Sequence, residues 1–289
     1  MSRDRLASAH AQFHAVSPAV GRLDETAFAD VLATDADAAV ALLADLAAAT
    51  DPQLRAHARR LAGRLLAPLG RVGAPRRQGT RRMVSRRGAL EGDLDVDRTL
   101  ERSLGGRPRD PRELVTRRFA GTPRAICLLV DRSGSMSGHA VALAAVAASA
   151  VVRADEERLQ CSVVAFASEP LVLLDARAPR GADAVVDDLL SLRGHGTTDV
   201  ARALRVASAL LEHVPSGGRT VLLMSDCLST TGPDPLPAAG ALDRLHVLGP
   251  TRAPEAVAAG TALARRAGGR WLPATAVHEL ALSLQAALD

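Results

Sequence analysis

The chain of 289 residues has no lysine and no tyrosine, one tryptophan, four phenylalanines and three cysteines. Each scarcity removes a class of protein. A Walker phosphate-binding loop needs a lysine after its last glycine, so that reading of the glycine-bearing loops is excluded. With aromatic residues at 2%, bases would find little to stack on, which counts against a single-strand nucleic-acid platform. The odd cysteine count, with Cys127 and Cys161 inside apolar strand patterns and Cys227 just after one, implies reduced thiols packed as small core residues rather than a disulfide framework. Long apolar runs are missing as well. The longest, Ala140 to Val152, is broken only by Ser149 and is too short to span a bilayer, and the Arg-bearing N-terminus shows no apolar signal core. The expectation is a cytoplasmic protein with no membrane contact.

What is present is apolar content of 47%, ample for a core, and a net charge of +4 carried by 36 basic residues that are all arginine. Residues 1–69 read as helical. Thr34-Asp-Ala-Asp37 matches a capping box before an apolar run, and Asp51-Pro52 supplies an N-cap with proline at the first helical position. Leu54, Ala58, Leu61, Leu65 and Leu66 then recur at helical spacing. His10, His14 and His57 lack metal-ligand spacing and read as ordinary surface or core histidines.

Composition changes over residues 70–121, where the doublets Arg76-Arg77, Arg81-Arg82 and Arg86-Arg87 lie among Gly, Pro, Gln and Ser. This segment is expected to be a solvated linker or protein-docking arm. Nonspecific nucleic-acid binding through its arginines is the alternative.

Over residues 122–289 apolar strand runs alternate with helical patterns, which predicts a doubly wound, mostly parallel α/β sheet. Expected strands lie at 126–130, 159–166, 171–174, 219–225, 245–248 and 270–272, the short third one as an antiparallel edge. Expected helices lie at 139–153, 182–192, 200–214, 254–267 and 276–288. Ile126 to Val130 has no polar alternation, so this strand is buried on both faces. It runs into Asp131, Ser133 and Ser135, whose alternate spacing lets one carboxylate and two hydroxyls converge. Such hard oxygen donors suit Mg²⁺ or Mn²⁺. A second buried strand ends at Asp226, and the loop holding Thr197, Thr198 and Asp199 offers further oxygen donors. A helix-capping turn would explain the first three residues alone, but it would not account for Thr198 and Asp226.

Asp131-x-Ser133-x-Ser135, followed by Thr198 and Asp226, resembles the metal-ion-dependent adhesion site of von Willebrand factor type A (VWA) domains. The resemblance implies that all five residues surround one cation, Mg²⁺ with Mn²⁺ or Ca²⁺ as alternatives, some of them through water. Thr198 is favoured over Thr197 because Ala203-Leu204 falls where the family's small-apolar pair follows its ligand. Cys227 departs from the pattern, since a glycine commonly follows the last aspartate. The stretch from Gly92 to Arg118, with Thr122-Pro-Arg-Ala just before the first strand, resembles the lead-in of bacterial CoxE-like VWA proteins and, more distantly, the magnesium chelatase D subunit.

These resemblances imply a binding role rather than an enzyme: a metal-bridged contact to an Asp or Glu of a partner, working with a MoxR-type AAA+ ATPase in cofactor insertion or protein remodelling. No histidine spacing indicates activation of Ser133 or Ser135 as a nucleophile, and His139 and His195 are expected to be polar neighbours of the loops. A metal-dependent hydrolase is the remaining alternative.

Overall fold

The computed structural model describes residues 1–70, 81–87, 93–102, 114–121, 124–134, 136, 139–153, 159–178, 180–192, 196–215 and 217–288, with the backbone only at 63–70, 81–87, 102, 117–121 and 153. The chain opens with helices α1 (Arg3–Ala9), α2 (Phe13–Val16), α3 (Glu25–Thr34), α4 (Ala36–Ala47) and α5 (Pro52–Gly70). Asp51 caps α5 as its sequence predicts, its Oδ1 accepting from the amides of Gln53 and Leu54. The Thr34 capping box does not form. Asp35 is the N-cap of α4, accepting from Ala38 N at 2.9 Å, while Thr34 closes α3 and donates to the Asp30 carbonyl. A carboxylate one residue later serves the same orphan amides at the helix start.

Two compact units divide the chain, one of Arg77–Pro123 and one of Met1–Arg76 with Arg124–Asp289. The smaller holds β1 (Arg81–Arg87), β2 (Asp93–Leu94), α6 (Val96–Arg102) and β3 (Val115–Gly121), with the strands in the antiparallel order β1-β3-β2. Regular structure thus occupies much of the segment read as a linker or arm. The arginine doublets hid it, because β1 is Arg-Arg-Met-Val-Ser-Arg-Arg and shows no apolar alternation.

In the larger unit follow β4 (Arg124–Asp131), α7 (His139–Arg153), β5 (Leu159–Phe166), β6 (Pro170–Leu174), α8 (Ala182–Ser191), α9 (Val200–Leu211), β7 (Arg219–Met224), α10 (Leu236–Gly240), β8 (Leu245–Gly249), α11 (Pro254–Arg266), β9 (Trp271–Pro273) and α12 (Val277–Leu288). The sheet order is β6-β5-β4-β7-β8-β9, parallel throughout except for the antiparallel edge strand β6. Successive residues of β4 enter opposite cores. Ile126, Leu128 and Val130 join the core of α7, α8 and α12, whereas Ala125, Cys127 and Leu129 join that of α9 and α11. Burying a side chain of this size is worth about 1.5–3 kcal/mol, which is why the run reads as unbroken apolar sequence.

The helical N-terminal region is not a separate body. Phe13, Phe28, Leu42, Leu43, Leu46, Leu54 and Leu61 share one core with Ile126, Leu128 and the apolar residues of α7, α8 and α12. Helix α7 therefore lies between the sheet and a second helical layer, and Ala142 to Ala148 are all at most 2% exposed. A helix covered on all sides needs no polar face, which explains the apolar run from Ala140 to Val152.

Strand order reverses between β4 and β7, since β4 leads through α7 to β5 on one side and pairs with β7 on the other. In such sheets the crevice beyond the carboxyl ends of strands at the reversal is the ordinary ligand site. Asp131 and Ser225 stand at that edge, just past the paired Val130 and Met224.

Candidate metal centre

Three loops meet above the ends of β4 and β7. From the first, Asp131 is fully buried with both carboxylate oxygens engaged: Oδ1 accepts from Ser133 N at 2.8 Å and Oδ2 from the Ser225 hydroxyl at 2.5 Å. The Ser133 side chain also hydrogen-bonds Asp131. Ser135 and His195 lie outside the described residues. The loop is pinned to the neighbouring strand by Arg132 N, which donates to the Phe166 carbonyl at 2.8 Å.

The second loop carries Thr198, which is buried, beside Thr197, which is exposed. Its peptide is stitched to the third loop: Thr198 N donates to Thr230 Oγ1 at 2.8 Å, and its carbonyl accepts from Thr230 N, Thr231 N and the Ser229 hydroxyl at 3.0 to 3.2 Å. Asp199 N reaches the Ala167 carbonyl at the end of β5. The carboxylate of Asp199 has another employment. It caps α9, accepting from Arg202 N at 2.8 Å, so its chemistry is spent on orphan helix amides. Gly232 lies so close that an added Cβ would fall 2.5 Å from that carboxylate, and its φ of +82° also demands glycine.

The third loop begins at Ser225 and Asp226. Asp226 is half-buried and its Oδ1 accepts from Leu228 N at 3.0 Å. Cys227 has φ +61°, the one positive value at a non-glycine position among the described residues. A glycine reaches this left-handed region freely; here a buried cysteine holds it, with its amide donating to Ser225 Oγ at 2.9 Å. The loop thus keeps the backbone turn that a glycine would supply. Burial raises the Cys227 thiol well above its usual range, helped by the charges of Asp226 and Asp131, so the thiol is a packing group and not a nucleophile.

Burial pushes the Asp131 carboxyl above its ordinary range, the bonds from Ser225 and Ser133 pull it back, and the charge of Asp226 pushes it up again. Among the described residues no group of three or more His, Cys, Asp or Glu side chains could hold a metal. The donor set on this edge instead mixes two carboxylates with buried hydroxyls, which fits a hard divalent ion and not zinc. His139 turns elsewhere: its Nε2 lies 3.1 Å from the Thr275 carbonyl and 3.6 Å from Asp37 Oδ1.

Sequence reasoning missed Ser225 and the Ser229-Thr230-Thr231 staple. Ser225 was read as the last strand residue before Asp226, and only the lateral pairing of β4 with β7 turns it toward Asp131.

A family profile described as VWA domain containing CoxE-like protein matches residues 61–257. No curated protein matches the chain. Among solved structures, an aerotolerance-related membrane protein from Bacteroides fragilis with multiple mutations to serines is 16% identical, with 57% of this chain and 98% of that chain covered and a TM-score of 0.46. BatB from Bacteroides thetaiotaomicron is 16% identical over 56% of this chain and 97% of that one, with a TM-score of 0.41. A von Willebrand factor type A protein from Catenulispora acidiphila is 20% identical over 59% of this chain and 43% of its own length, with a TM-score of 0.42. No helix among the described residues is long and apolar enough to cross a membrane.

Proposed function

This chain belongs to the family of VWA domain containing CoxE-like proteins, and on that premise we propose that the carboxyl edge of its sheet is a Mg²⁺-dependent docking site for another protein. The family match supports an interaction role of the VWA type. Asp131, Ser133, Ser135, Thr198 and Asp226 would hold the ion. A bound Mg²⁺ would supply there a coordination position open to an Asp or Glu of the partner.

The observation that carries this reading is the placement of a fully buried Asp131 at the reversal of strand order, beside an Asp226 whose charge acts on it. Burial and the charge of Asp226 both disfavour the ionised Asp131 carboxylate, and a divalent cation would relieve that cost. The chain's own residues set the rest. Ser225 and the Ser133 amide aim Asp131, and the staple from Thr198 to Ser229, Thr230 and Thr231 holds the second loop at a fixed distance from the third.

We take the role as binding and not catalysis, because the Ser133 hydroxyl faces a carboxylate and His139 bonds a backbone carbonyl. The partner we propose is a MoxR-type AAA+ ATPase, with the chain acting as its adaptor in cofactor insertion or protein remodelling. Copurification with such an ATPase tests this. Recovery in Mg²⁺ that is lost in EDTA and in Asp226→Ala is the expected result; recovery indifferent to both would contradict metal-bridged docking.

A further inference from the structure

The described residues expose nine large apolar side chains, and three of them, Leu94 (51%), Val96 (53%) and Leu100 (42%), fall within seven residues of the smaller unit. Scattered exposed apolar residues need no explanation, but a local concentration does.

Helix α6 explains how they come together. Residues four apart lie over one another on a helix, so α6 presents successive ridges. The ridge of Asp95, its N-cap position, and Thr99 faces inward: both are buried, Asp95 N donates to the Val115 carbonyl at 2.7 Å and Val115 N donates to Thr99 Oγ1 at 3.0 Å. The next ridge, Val96 and Leu100, is open, and Leu94, two residues earlier in β2, is exposed as well. The ridge after that, Asp97 and Glu101, is also exposed, with Asp93 beside Leu94.

An inward polar ridge and an outward apolar one invert the usual arrangement of a surface helix, in which the apolar stripe faces the core. The inner ridge fastens α6 to β3 by hydrogen bonds, which leaves the apolar stripe free for an external contact. A parallel line of carboxylates beside it sets the charge of what can approach.

We propose that α6 is a docking helix whose Leu94-Val96-Leu100 stripe seats in an apolar groove of another protein, edged by arginine or lysine side chains that meet Asp93, Asp97 and Glu101. Helix-in-groove recognition reads anchors at this four-residue spacing. The site is independent of the metal centre. It also reverses the charge expected of a partner for this arginine-rich segment, because among the described side chains at α6 the exposed charges beside the apolar stripe are mostly acidic, Arg98 excepted.

The test uses the full chain in EDTA and a fluorescent 14-residue helical peptide of leucine and lysine with leucines at positions three and four apart, compared with its leucine and glutamate counterpart. Anisotropy should show binding of the lysine peptide, weakened at least tenfold by Val96→Asp with Leu100→Asp and severalfold by Asp97→Asn with Glu101→Gln. Raised salt should weaken it too. Since all four positions are exposed, unchanged circular dichroism melts will separate loss of docking from loss of fold. Equal binding of the two peptides, or binding indifferent to these substitutions, would overturn the proposal. Self-association in sedimentation that Leu100→Asp abolishes would also overturn it, by assigning the stripe to a second copy of the chain.

Discussion

The Ser225 hydroxyl donates to Asp131 Oδ2 at 2.5 Å, joining the ends of β4 and β7 across the reversal of strand order. One hydroxyl therefore does two jobs, since Ser225 Oγ also accepts from the Cys227 amide at 2.9 Å. The aim of the buried carboxylate and the turn of the third loop depend on the same atom.

Removing that hydroxyl with Ser225→Ala leaves a buried carboxylate oxygen and a buried amide without partners. The expected cost is about 1–3 kcal/mol of stability, read by urea denaturation at neutral pH, together with weaker Mg²⁺ affinity. A variant as stable as the parent would show that the two groups find other partners.

At Cys227 the backbone conformation is the constraint. A left-handed residue other than glycine costs roughly 1–2 kcal/mol, and glycine gives back up to about 1 kcal/mol through its freer unfolded state. Cys227→Gly should thus fold with a stability within about 1 kcal/mol of the parent. Cys227→Val should lose more than about 2 kcal/mol, because a β-branched residue at positive φ is a genuine outlier. Equal stability of the two variants in guanidinium denaturation would refute this.

Much of the fold was legible because its signals are local. The unbroken run Ile126 to Val130 announced a strand covered on both faces, and helix α7 begins and ends where its pattern places it, at His139 and Arg153. Asp131, Ser133, Thr198 and Asp226 were marked by type and spacing, and the fold brings their loops to one edge. Non-local features were not legible. The contact of Ser225 with Asp131 spans 94 residues and follows from strand order, which sequence does not print. Asp199 was counted among the oxygen donors, but whether a carboxylate caps a helix or faces a cleft depends on where that helix starts. The arginines of β1 masked a strand, and the second helical layer over α7 left as its trace only an apolar run that seemed long for a surface helix.

That layer is load-sharing with the sheet. Leu46 is fully buried in the core that α4 and α5 share with α7 and α8. Leu46→Ala should cost about 2–5 kcal/mol. Calorimetry should show the N-terminal helices and the sheet melting in one transition, before and after the substitution. A separate low-temperature transition confined to the helices would contradict a shared core.

His246 gives the fold a dependence on pH. It is 4% exposed, neither ring nitrogen has a hydrogen-bond partner among the described residues, and burial, with Arg270 and Arg244 nearby, holds its pKa down at about 4. Between about 4 and 6.5 the unfolded imidazole is protonated and the folded one is not, so stability falls as pH drops through that window and levels off below it. The total is roughly 3 kcal/mol. Urea denaturation at pH 4.5 and 7 should show a steeper dependence in the parent than in His246→Leu. Matching slopes would show that His246 takes no part.

Calorimetric titration of Mg²⁺ into the full chain, alongside Asp226→Ala and Thr198→Ala, tests the metal centre most directly. The expected result is one saturable site in the parent that vanishes in Asp226→Ala and weakens in Thr198→Ala, with all three proteins equally folded by circular dichroism. No binding in the parent, or binding that survives Asp226→Ala unchanged, would contradict the assignment of this sheet edge as a cation site.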